Sequence, residues 1–349
     1  MNSVTRLLGL VIIVSGSQFA MAAEEKPLIR IAFSSCAAQD RPQPIWDAVV
    51  ANKPQLFLFL GDNIYADTED MKLMWTKYQK LAAQPGFQRL KKTCPVMATW
   101  DDHDYGASDA GVEYPKKKES QQLFLDFFGV AADSSRRQQH GIYHSRMFGP
   151  QGKRVHVILL DTRYFRSPLK REFERGDAGE GIHGLYIANT DPQATMLGEM
   201  QWHWLEHELA KPAELRIIAS SIQVISQEHG WESWSRFPHE RKRLFQLLRK
   251  TKASGVILVS GDRHRAEFSK STTDIGYPLF DVTAGSLNRG ERWTNEVNFH
   301  RVGLTYFETN FGMLIIDWNA DPLIRLQVRD EKGNVVLQQS LHLSQLQSG

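Results

Sequence analysis

The apolar positions of this chain fall into short, nearly unbroken runs separated by amphipathic stretches. Residues 28–33, 56–60, 95–100, 154–160, 215–219 and 255–259 are such runs. Each is too short for a buried helix and reads as a buried strand. Between them, apolar residues recur at helical spacing. This predicts helices at 44–50, opened by Pro44, and at 69–83, with Met71, Leu73, Met74, Trp75 and Tyr78. Further helices are predicted around 121–128, at 199–209 with Trp202 and Trp204, and from Pro238 onward with Leu244, Leu247 and Leu248 on the apolar face. Strands alternating with helices imply parallel β-α-β units. Beyond residue 260 the pattern changes. Residues 279–283, 312–318 and 323–343 carry β signals without helices, the last with a hairpin turn at Glu331-Lys-Gly333. The reading is one α/β domain with an extra set of antiparallel strands. Residues 166–195, rich in Gly, Arg, Glu and Asp, read as a long surface loop near the site. The Gly179-x-Gly-x-x-Gly184 match inside it follows no apolar strand and is taken as chance.

Composition adds bounds. The 349 residues are 42% hydrophobic and 23% charged, which is ordinary for a globular chain. A net charge of +2 gives no reason to expect specific nucleic-acid binding. Lys116-Lys-Lys118, the densest basic run, reads as a solvated loop. Arg6, the apolar run 7–14 and Ala20-Met-Ala22 together read as a Sec-type signal peptide over residues 1–23. That leaves 24–349 for the periplasm or the exterior. No later stretch is long enough to cross a bilayer. The two cysteines, Cys36 and Cys94, suggest one disulfide by default in an exported chain, although Cys36 has another use below.

The candidate chemistry sits at strand ends, where α/β proteins build their sites. The run 56–60 stops at Gly61, and Asp62 and Tyr65 lie just beyond. The first run ends at Cys36, the third at Asp101-Asp102-His103, and the sixth at Asp262-x-His264. In one parallel sheet these ends would meet at one edge. They offer thiolate, carboxylate, phenolate and imidazole ligands. That is more than one cation needs, and enough for two cations about 3.5–4 Å apart. Asp62 is the natural bridge. The carboxylates suit Ca²⁺, Mg²⁺ or Mn²⁺. A phenolate beside a thiolate and an imidazole favours a more Lewis-acidic ion, iron first. His103 lies one residue past a ligand and is the candidate proton donor. Arg163 is the first candidate phosphoryl binder, with an ion pair to Asp161 as its structural alternative, and Arg265 and Arg289 follow it as candidates.

Gly61-Asp-x-x-Tyr65, Asp102-His103 and Gly261-Asp-x-His264 resemble the metallophosphoesterase motifs. Ser35-Cys36, Trp100-Asp-Asp-His103, Asp161-Thr-Arg163 and Leu197-Gly-Glu-x-Gln-Trp202 resemble, more narrowly, the alkaline phosphatase D (PhoD-like) family, over about residues 28–320. The resemblance implies a four-layer α-β-β-α sandwich, two mixed sheets flanked by helices. It implies Fe³⁺ held by Cys36, Asp62, Tyr65 and His264, and Ca²⁺ held by Asp62, Asp102 and Asp262, with Mn²⁺, Zn²⁺ or Mg²⁺ as alternatives. It implies a monomeric phosphomonoesterase or phosphodiesterase using a two-metal-activated water. A phospholipase-type phosphodiesterase of the same fold, or a non-catalytic phosphate- or metal-binding module, are the competing readings. This chain lacks the histidine that other metallophosphoesterases place near Ser221 and Gln223; His229 is the nearest substitute.

Overall fold

The structure is a computed structural model that describes residues 26–172, 184–290 and 296–347. The expected signal peptide and most of the glycine-rich loop lie outside the described residues.

The strands are β1 (Arg30–Ser34), β2 (Leu56–Leu60), β3 (Val96–Thr99), β4 (His144–Phe148), β5 (Val155–Leu159), β6 (Lys170–Arg171), β7 (Tyr186–Ile187), β8 (Leu215–Ala219), β9 (Val256–Ser260), β10 (Ala266–Ser271), β11 (Leu279–Ala284), β12 (Arg301–Tyr306), β13 (Asn310–Asp317), β14 (Leu323–Asp330) and β15 (Val335–His342). The helices are α1 (Ile45–Ala51), α2 (Met71–Ala83), α3 (Pro85–Thr93), α4 (Asp102–Tyr105), α5 (Lys117–Phe127), α6 (Gly198–Leu209) and α7 (Pro238–Lys250). One sheet runs β15-β14-β13-β1-β2-β3 and the other β12-β10-β11-β9-β8-β5-β4. Both are mixed. The strands β1-β2-β3 and β11-β9-β8-β5 are parallel, and the outer strands are antiparallel.

The run Leu56-Phe-Leu-Phe-Leu60 shows why no polar residue interrupts β2. Leu56, Leu58 and Leu60 join the cluster that also contains Val157, Leu159, Val256 and Leu258 of the second sheet. Phe57 and Phe59 point the other way, onto Trp46 of α1, and Phe59 also meets Phe87 of α3. A strand covered on both faces must be apolar at every position.

Several elements were not legible beforehand. Pro85 opens a separate helix, α3, where one helix is expected to end; proline at the first helical position explains the break. The strands β4, β10 and β12 lack an apolar run. Strand β10 is nonetheless buried, with Glu267 satisfied by Arg301, Gln223 and Asn298. The basic run at Lys116–Lys118 leads into α5 rather than forming a loop. The hairpin at residues 331–333 does join β14 to β15, its turn held by Asp330 Oδ1 accepting from the Lys332 and Asn334 amides.

The largest correction concerns the strand ends. Cys36, Asp62, Asp102 and His103 follow β1, β2 and β3 of one sheet, whereas Asp262 and His264 follow β9 of the other. The ends meet across the seam of a sandwich, not along one sheet edge. Gly61 makes the approach feasible. Its φ is +104°, and a Cβ there would lie 2.4 Å from Asp101 Cβ. Gly61→Ala is therefore expected to destabilise the fold by about 1–3 kcal/mol, measured by denaturant unfolding.

Candidate metal centre

The backbone at these strand ends is unusual. Cys36, Asp62, Asp262 and His264 have φ of 61°, 50°, 64° and 49°, all left-handed and none glycine. Such residues persist only where their surroundings hold them. Here the Ala37 amide donates to the Asp62 carbonyl at 2.9 Å, and the Arg263 amide to the Gly261 carbonyl at 2.7 Å. Asp104, at the start of α4, accepts from the Asp62 amide at 3.1 Å and the Asp101 amide at 2.7 Å, and also holds Asn63.

The turns bring two sets of ligand atoms together. One atom each from Cys36, Asp62 and His264 lie within 4.8 Å of one another, as do atoms from Asp62, Asp102 and His103. Asp62 belongs to both. The Tyr65 hydroxyl lies 3.1 Å from Asp62 Oδ2 and 3.2 Å from His264 Nε2. The Cys36 thiol lies 3.6 Å from Asp62 Oδ2. Asp262 comes alongside through its main chain, its carbonyl 3.8 Å from Cys36 Sγ. Its carboxylate is in neither set, the nearest cation being Arg263 at 3.9 Å.

Electrostatics indicate what this arrangement lacks. Burial pushes the pKa values of Cys36, Asp62, Tyr65 and Asp262 well up, and neighbouring anions push the same way. Asp62 Oδ1 is buried with no hydrogen-bond donor. Four acids that resist ionising, Cys36 and Asp62 buried and Tyr65 and Asp262 partly so, around an orphaned carboxylate oxygen, fit a site completed by cations. Burial also works to raise Asp102, but the His103 and Arg163 charges outweigh it, and its oxygens accept from the His103 and Asp109 amides at 2.9 and 2.7 Å.

His103 is placed by a residue that sequence reasoning missed. Its Nδ1 lies 2.8 and 2.7 Å from the two oxygens of Asp67, and its ring centroid is 4.3 Å from that of Tyr65. Burial disfavours its charge, but Asp102, Asp62 and Asp67 more than compensate, and its pKa is pushed up to about 11. Asp67 stands five residues past Asp62, and only its left-handed φ of 46° turns it back to the site.

A family model described as PhoD-like phosphatase matches residues 31–303, well over half of the chain. The chain belongs to the PhoD-like phosphatase family. This PhoD-like chain is 20% identical over 314 residues to alkaline phosphatase D of Bacillus subtilis (strain 168), covering 76% of this chain and 52% of that protein. It thus spans about half the length of that curated relative. A solved structure of PhoD superposes with a TM-score of 0.70 at 15% identity, covering 90% of this chain and 69% of that one. A purple acid phosphatase from yellow lupin (Lupinus luteus) seeds gives 0.62 at 13% identity, over 91% and 54% of the two chains. A dimetal phosphatase from Danio rerio gives 0.56 at 12%, over 91% and 100%.

In this PhoD-like site Arg163 is engaged by two acids. It is fully buried; its Nε donates to Asp101 Oδ1 at 2.7 Å and its Nη1 pairs with Glu232 at 2.7 Å. Its side-chain partners are these two acids rather than Asp161, which instead caps the turn through the Arg163 and Tyr164 amides and Trp100 Nε1. Arg163→Met would leave Asp101 and Glu232 buried without their counter-charge. It is expected to lower unfolding stability by about 3–5 kcal/mol, read from denaturant midpoints. His229 is likewise buried, with Nε2 3.0 Å from Gln223 Oε1, and burial with nearby arginines keeps it neutral. Trp234 and Phe237 are core residues. Cys36 and Cys94 are both free thiols.

Proposed function

We propose that this chain is a metal-dependent phosphoester hydrolase whose two cations share Asp62. The observation that carries the reading is the convergence of Cys36, Asp62, Tyr65 and His264 on one side and Asp62, Asp102 and His103 on the other, across two sheets. Membership of the PhoD-like family supports it. The fold alone would not carry it, because one fold hosts many functions.

Cys36, Asp62, Tyr65 and His264 would hold the more Lewis-acidic ion, with Fe³⁺ the first choice for thiolate, phenolate and imidazole together. Asp62 and Asp102 would hold a harder one such as Ca²⁺, with Asp262 the remaining carboxylate at that edge. Bound there, the pair supplies a water of near-neutral pKa and positive charge against the phosphoryl oxygens. His103, engaged through Nδ1 by Asp67, keeps Nε2 to protonate the leaving oxygen. The substrate is a small phosphomonoester or phosphodiester, with a phospholipid diester as the narrower alternative. Residues 1–23 are read as an export leader, which N-terminal sequencing of the mature protein checks; no helix among the described residues is long and apolar enough to cross a membrane.

The test combines elemental analysis of the purified protein with assays on p-nitrophenyl phosphate and bis(p-nitrophenyl) phosphate. Turnover lost to a chelator and restored by metal is the expected result. A metal-loaded protein that turns over neither ester would leave the non-catalytic module as the reading.

A further inference from the structure

Asp102, a candidate ligand of the harder cation, is held in part from outside its own helix. Its Oδ1 accepts from the His103 amide, and its Oδ2 from the Asp109 amide at 2.7 Å. Asp109 lies seven residues on, with a left-handed φ of 57°. Aspartate visits that region more readily than most residues, yet it stays there only where contacts hold it. Two contacts do so. The Tyr186 hydroxyl donates to Asp109 Oδ2 at 2.5 Å. Arg166 Nη2 donates to the Asp109 carbonyl at 2.5 Å, and Arg166 is itself fully buried and paired with Glu232. Tyr186 is the buried residue of β7, within the segment expected to be a surface loop. Its amide donates to the Gly230 carbonyl, and its carbonyl accepts from Arg236 Nη1, both at 2.7 Å. The exposed Arg171 donates to the Tyr186 hydroxyl at 3.3 Å, which leaves the phenol hydrogen for Asp109. A phenol anchored on one loop thus reaches, through Asp109, a carboxylate of the ligand cluster.

We propose that Tyr186 and Asp109 are positioning residues for the metal centre: the Tyr186 hydroxyl holds the Asp109 turn, and the Asp109 amide aims the Asp102 carboxylate at the harder cation. The proposal rests on the two-cation site of the phosphoester-hydrolase reading. Loss of a group that orients a metal ligand typically costs about 10–100-fold in metal affinity. The assignment also gives the β6–β7 ribbon a function. A contact that favours ion binding is favoured by the ion in turn, so docking of Tyr186 and filling of the Asp62–Asp102 side support each other.

The test is metal retention by the purified enzyme, equilibrated at graded free Ca²⁺ or Mn²⁺ and followed by elemental analysis and turnover of p-nitrophenyl phosphate. Tyr186→Phe removes only the hydroxyl. It is expected to raise the free-ion concentration that half-fills the Asp62–Asp102 side by about 10–100-fold. Occupancy of the Cys36, Tyr65 and His264 side should be unchanged, and kcat at saturating ion should return toward the wild-type value. Asp109→Ala should behave like Tyr186→Phe. Asp109→Asn should recover most of the affinity, because its side-chain oxygen still accepts from the phenol and asparagine tolerates a left-handed φ. Unaltered half-filling in folded Tyr186→Phe and Asp109→Ala overturns the assignment and leaves the hydrolase reading standing. Equal weakening of both ions with a lowered Tm also overturns it, in favour of a general structural role. If the wild type fills both positions yet turns over neither ester, the hydrolase reading falls and the same comparison of affinities still decides the positioning role. A wild type that takes up no ion beside Asp102 drops both.

Discussion

Asp62→Asn is expected to strip the protein of metal and to reduce kcat/KM by on the order of 10⁴-fold or more, toward the level of unactivated water. The residue is the shared member of both ligand sets, and its side chain also touches Cys36 and Tyr65. Asparagine keeps the volume and loses the charge. The same substitution is expected to act in the opposite direction on the chelated protein. Asp62 is buried there against its own ionisation, with Oδ1 lacking a donor. Replacing it should therefore raise the unfolding stability of the metal-free form by about 1–3 kcal/mol. Such opposed signs are the usual mark of a functional residue held at the expense of the fold. Elemental analysis, steady-state kinetics and thermal unfolding in chelator measure the three quantities. An Asp62→Asn protein that keeps two metals and near-native turnover would remove Asp62 from the bridging role.

His103→Ala is the second large effect. Loss of a positioned proton donor typically reduces rate by about 10²–10⁴-fold, and metal content should stay at the wild-type level. That pairing of outcomes matters, because one His103 ring nitrogen lies within reach of Asp62 and Asp102 as a ligand atom would. If the alanine variant loses one metal in proportion to its activity, His103 is a ligand and not the donor. Asp67→Asn separates the cases further. Cations at Asp62 and Asp102 would offset the charge of those two carboxylates and leave Asp67 as the main anionic partner of the imidazole. Its loss should lower kcat by about 10–100-fold, in the range seen for groups that orient a site residue.

The candidate ligands were legible in the sequence because each closes an apolar run. Cys36, Asp62, Asp102 and His264 needed only a strand and its end to be recognised. What the sequence could not show was which sheet each strand joins. The strands β1 to β3 and β9 look alike as apolar runs, yet they lie in different sheets, and that division depends on pairings with β13 and β11 that are distant in sequence. The partners of Arg163 were hidden for a related reason. Its partners Asp101 and Glu232 lie 62 and 69 residues away, so only the three-dimensional arrangement shows the guanidinium engaged. Asp67 was hidden because its placement depends on local geometry, a left-handed turn that no pattern of residues announces. The buried β10 was missed because its polar side chains are matched by partners that no periodicity reveals.

The division of ligands between two sheets has a mechanical consequence. On the proposed function, a cation lodged between β1 and β2 on one side and β9 on the other would work as a rivet through the sandwich. At a free concentration a thousand times its dissociation constant, such an ion adds about 4 kcal/mol to the stability of the folded state. Demetallation then loosens the joint at the same moment that it silences the chemistry, so that the empty protein is also the one most exposed to proteolysis.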